Sequence, residues 1–139
     1  MLSYSRRVLL QVGFFVLTSC TSLSQHILED TRRVEKELIL ILSKAEKIED
    51  LVSQKAELQS LFQQLAENAI AASRWSDQHG GENLPLTEKD HKLAQVLAGS
   101  LAHARAIVGA DSVLREAQAE ALELLDAYEQ KKIRKAGSS

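Results

Sequence analysis

Between Gly13 and Gly80 the chain contains neither a glycine nor a proline. These two residues are the strongest local breakers of regular structure, so over this stretch the backbone has no composition-level reason to leave a helix once it has entered one. The stretch is built from Ala, Leu, Glu, Lys, Gln and Arg, the residues that lose least on becoming helical. Clusters of β-branched and aromatic residues, the mark of strands, are scarce. With 139 residues, the expectation is one all-α domain.

Apolar residues recur at steps of three and four: Ile27, Val34, Leu38, Ile41, Ala45, Ile48, Leu51, then Leu58, Phe62, Leu65, Ala69 and Ala72. This is the seam of a coiled coil. A helix is expected over about 24–75, with Ser22 or Ser24 as its cap; it would be roughly 75–80 Å long. Gly80-Gly81 and Pro85 punctuate a loop over 76–86. Thr87 followed by Asp90 has the spacing of a capping box and opens a helix over about 87–108. A break near Gly109, with Asp111 or Ser112 as cap, precedes a last helix over about 111–134.

The two arms are nearly equal in length, so an antiparallel hairpin pairs them naturally, with Ala69 facing Leu93, Leu58 facing Ala104 and Leu38 facing Leu124. Lys55 interrupts the first seam opposite Ile107, beside Gly109, and the seam changes phase between Ile48 and Leu51. A joint is therefore expected in both arms at one level. It is either a kink in a long hairpin or a turn that folds the rod into a three- or four-helix bundle.

The first twenty residues follow another pattern. Arg6 and Arg7 precede an apolar run, Val8 to Val16, broken only by Gln11 and Gly13, and then come Leu17, Thr18, Ser19 and Cys20. A charged start, a short apolar run and a small-residue zone have the form of an export signal; a membrane span needs about 20 apolar residues. Leu17-Thr18-Ser19-Cys20 resembles the lipobox of bacterial lipoprotein precursors. The resemblance implies that residues 1–19 are a signal peptide cut before Cys20, and that the Cys20 thiol carries a diacylglycerol. The mature helical domain would be 20–139, with 15 basic and 19 acidic residues. Thr21 replaces the Asp of that family's inner-membrane retention signal, which for a Gram-negative host implies the periplasmic face of the outer membrane rather than the inner membrane. Two or three acyl chains anchor firmly where one does not.

Little else carries chemistry. His26, His79, His91 and His103 have no metal-ligand spacing, and no nucleophile, phosphate-loop or dinucleotide motif occurs. No catalytic residue, metal or cofactor is expected beyond the covalent lipid on Cys20. A net charge of −2 gives no ground for nucleic acid as a partner. Leu38-Ile39-Leu40-Ile41-Leu42 covers more of a helix circumference than a two-helix seam needs. A third surface is expected there, supplied by another helix of the chain, by a second copy or by a protein partner. Ala94, Ala98, Ala102, Ala106 and Ala110 form a stripe of small residues suited to close helix packing, within the chain or as a slot for a partner helix. Lys131, Lys132, Arg134 and Lys135 suit the negative end of the last helix and in a hairpin would return towards Cys20.

The expectation is a lipid-anchored periplasmic helical protein with a structural or adaptor role, binding a protein partner or itself. A pilotin-like assembly lipoprotein for a secretion channel, or a small inhibitor or immunity-type lipoprotein, is the alternative.

Overall fold

A computed structural model describes residues 19–137, with side chains from Leu23 onward. Residues 1–18 of the expected signal peptide, Leu17 and Thr18 included, lie outside the described residues. Ser19 and Cys20 open the first helix. Five helices follow one another: α1 Ser19–Lys44, α2 Ile48–Ser53, α3 Lys55–Gln78, α4 Glu88–Arg105 and α5 Ala110–Gly137. There is no strand among the described residues. The protein is an all-α helical bundle.

The expected helix over 24–75 is divided. α1 ends at Lys44, and Lys47 is extended, with φ −141° and ψ 164°. The turn needs no glycine because Asp50 does the capping: its carboxylate accepts the backbone N–H groups of Glu46 (3.0 Å) and Lys47 (3.2 Å). Those donors would otherwise be orphans of a helix start. α2 then lasts six residues. Its end is tightened, with Gln54 N–H donating to the Leu51 carbonyl (3.1 Å), and α3 restarts at Lys55. Ala45 and Leu51 are buried across this elbow, which is the physical source of the phase change in the seam.

The consequence is a reversal of direction. Arg33 donates to Gln64 (2.8 Å) and Asn68 to Asp30 (2.8 Å), so α3 runs back antiparallel along α1. α4 runs parallel to α1: Arg32 meets Asp90 and His103 meets the Ala45 carbonyl, both 58 positions apart. α5 runs parallel to α3, with Lys55 against Glu116, Ser73 against Tyr128 and Asp77 against Lys132. The antiparallel pairing of whole arms, Leu38 with Leu124 for example, is thereby replaced. The extended hairpin does not form; the folded bundle does. α1 packs on α3 and α4, and α3 on α5, while α4 and α5 touch only sparingly despite the short turn between them. One side of the four-helix arrangement is left open.

The remaining boundaries follow local chemistry. α3 is stopped by Gly80, φ 66°, and Gly81, φ 87°, where Gly81 N–H reaches back to the Ser76 carbonyl (2.9 Å). This bond requires the left-handed conformation glycine adopts freely. Thr87 and Asp90 form the expected capping box at the start of α4. Gly109, φ 82°, turns the chain into α5, which starts at Ala110, one residue earlier than expected. The core runs through Val34, Leu38, Leu42, Leu51, Leu58, Leu61 and Leu114, all essentially inaccessible to solvent.

Candidate functional site

Beside the gap between α4 and α5 lies an open groove of about 500 Å³, lined by α3 and α5 and reached by α4 through Arg105. Phe62 and Leu65 of α3 floor it, Leu122 and Leu125 of α5 form one wall, and Arg105 of α4 with Gln118 closes the end near the α4–α5 turn. Leu122 is 58% exposed. Ala94 and Ala98 lie eleven and seven residues before Arg105, hence on the same face of α4.

The expected close packing of the alanine stripe within the chain therefore does not form. Ala94, Ala98, Ala102 and Ala106 are exposed, and Ala110 alone of the five is buried. The reason is the orientation of α4, whose buried residues, Leu97, Ser100 and Ala104, are spent on α1 and the core. The stripe lies one face over.

The aliphatic run Leu38–Leu42 is resolved differently. Leu38 and Leu42 are fully buried, and Ile39 and Ile41 pack against the core. The width of the run reflects a helix with two neighbours, α3 and α4. Leu40 remains 54% exposed and lines, with Ile41, a shallow recess of about 320 Å³ over the elbow.

A polar knot fastens α4 to α1. Arg32 Nε and Nη2 grip the two oxygens of Asp90, the latter at 3.0 Å. Thr87 donates its N–H (2.8 Å) and its hydroxyl (3.0 Å) to the same carboxylate. The Arg32 bond first, and the Thr87 bonds after it, hold Asp90 well below the usual carboxylate range. Glu35, one turn further along α1, is buried. Burial, and then the Asp90 charge, push its carboxyl up. This cluster is structural in geometry: it ties the start of α4 to α1.

The third feature is the end of the bundle where α1 begins. Trp75 is buried and stacks on His79 at 4.0 Å between ring centroids. His79 Nδ1 bonds the Trp75 carbonyl (2.7 Å), while the indole N–H has no acceptor among the described residues. Among the described residues no three His, Cys, Asp or Glu are placed to hold a metal ion, and no helix is long and apolar enough to cross a membrane.

Comparison with known proteins gives no match to a family, a curated protein or a solved structure.

Sequence reasoning singled out Ala94, Ala98 and Ala102 but missed Arg105, Leu122 and Leu125. A signal for the α5 wall was present in the spacing. Gln118, Leu122 and Leu125 repeat at steps of four and three, a stripe one residue over from buried Ala117 and Ala121.

Proposed function

We propose that the chain is a lipid-anchored adaptor of the bacterial envelope that holds one amphipathic helix of a protein partner in the groove beside the α4–α5 gap. The lipobox-like Leu17-Thr18-Ser19-Cys20 supports the anchor. The open groove supports the binding role and is the observation that carries it. From Phe62 to Ala69 on α3 and from Gln118 to Leu125 on α5 the lining rises roughly 10 Å, which suits about two turns of a guest helix. A stable dimer generally buries about 1,200–2,000 Å², more than such a groove offers, so a short helical segment fits better than a second copy. Arg105 has no ion pair among the described residues. A carboxylate or helix C-terminus on the guest would meet it.

The pilotin-like alternative is a special case, in which the guest helix belongs to a secretion-channel subunit; the exposed Ala94, Ala98 and Ala102 face beside the groove favours it. A photo-crosslinker at Gln118, on the groove lining, placed in the native envelope, should capture one dominant partner. Leu122→Glu should abolish capture while leaving the helical signal intact. Capture unaffected by Leu122→Glu and Ala98→Leu would remove the groove from the reading. Palmitate labelling lost in Cys20→Ser tests the anchor separately.

A further inference from the structure

The tip of α5 is longer than the bundle requires. Lys132 lies beside Asp77 (3.5 Å), one residue before α3 ends at Gln78. Beyond Ile133 α5 has no α3 alongside it. Every residue from Glu129 to Gly137 is exposed, so this segment buries little, and a helix end without packing tends to fray.

Its composition is one-sided. Glu129 is the single carboxylate against Lys131, Lys132, Arg134 and Lys135. Lys132 is shared with Asp77 and Ser73, while Lys131 and Arg134 have no ion pair among the described residues. The helix dipole accounts for a cation or two in the last turn, not for a projecting basic tip. Of the carboxylates of this end, Glu82 belongs to the 79–87 loop, Glu88 to the start of α4, and Asp77 is taken by Lys132.

The same end carries exposed aliphatic residues. Leu23 in the first turns of α1 is 51% exposed, Leu86 in the loop 54% and Ile133 on α5 63%. It is also the end at which α1 starts. Asp30 meets Asn68 in the antiparallel pair, and Cys20 and Gln78 each lie ten residues further towards that end, one on α1 and one on α3.

We infer that this end of the bundle is a docking face for anionic phospholipid headgroups. The cations of the α5 tip meet the phosphates, and Ile133, Leu23 and Leu86 enter the headgroup layer. Cations near an anionic surface each add to binding, and the effect is screened by salt. The inference deepens the anchoring reading and rests on it for access to a membrane, but the contact itself needs no lipid on Cys20. It would hold the bundle on end, with the groove along its side facing the periplasm.

The test uses unlipidated protein beginning at residue 19 with Cys20→Ser, because every buried residue among those described lies between Ser24 and Ala121. It is sedimented with vesicles of phosphatidylcholine alone or with about one-third phosphatidylglycerol. Binding is expected to the anionic vesicles only, to weaken as salt rises, and to drop at least about tenfold in Lys131→Glu/Arg134→Glu. Ile133→Asp should weaken it further, and circular dichroism should show both variants folded. Equal binding to both vesicles, no binding to either, or binding that survives the charge reversal would overturn the inference. Failed palmitate labelling, by contrast, would sink the anchor and leave this result standing.

Discussion

At Asp90 a single carboxylate caps α4 and receives the Arg32 guanidinium from α1. Removing it leaves the Thr87 N–H without its acceptor and the partly buried Arg32 without its counter-charge. Asp90→Ala is expected to cost about 1–3 kcal/mol, a lost cap plus a bidentate ion pair, read as a lower urea midpoint at unchanged slope. Asp90, Asp30 and Asp50 are all held below their ordinary value of 3.8. Arg32, Asn68 and the Glu46 N–H are the leading causes, respectively. The unfolded chain therefore binds more protons in acid, and this stabilisation, complete above the ordinary carboxylate value, is lost as pH falls through it. Glu35 acts in the opposite sense. Its folded value is raised above 4.5, so the folded state gains stability as pH falls through that raised value. The stability profile should thus rise as pH falls through the raised Glu35 value and then fall as the three aspartates become protonated, below about pH 4. Glu35→Gln should flatten the rising limb and raise the neutral-pH midpoint; an unchanged limb would exclude Glu35 as its source.

The elements themselves were largely legible in the sequence, because helix propensity and three-four periodicity are local properties. The Thr87–Asp90 box, the Gly80-Gly81 stop and the Gly109 break are each set by a few adjacent residues and appear where spacing placed them. The elbow at 45–54 was visible only as a slipped seam. Its turn is made from Glu46, Lys47 and Asp50, residues equally at home in a helix, and nothing local distinguishes a kink there from a reversal. At Gly109 the backbone is left-handed, and a Cβ would stand 2.9 Å from Ile48 Cδ1. The Ile48 tip can swing aside, so the left-handed φ sets most of the cost. Gly109→Ala is expected to destabilise by about 1–2 kcal/mol, a fall of roughly 3–10 °C in melting temperature. Gly80→Ala would meet open space and carry the conformational cost alone.

For the whole molecule, the decisive quantity is length. A bundle whose longest helix has 28 residues extends about 42 Å along that helix, against roughly 75–80 Å for a hairpin of unbroken arms. Small-angle scattering of the monomer should give a maximum dimension well below the hairpin value; a profile extending to that length would exclude the bundle. The helical class, the Thr87–Asp90 box, the two joints and the lipobox-like Cys20 segment could all be read from the chain alone, since each depends on neighbours along it. Only packing in three dimensions established that α4 lies parallel to α1, that Leu38–Leu42 is filled by two neighbours, and that Ala94, Ala98 and Ala102 face outwards. Antiparallel arms and a folded-back bundle bury the same seam residues almost equally well, so periodicity cannot choose between them. The choice falls to contacts between distant residues: the Arg32 grip on Asp90, the Lys55 pair with Glu116 and the fit of Leu51 under the elbow.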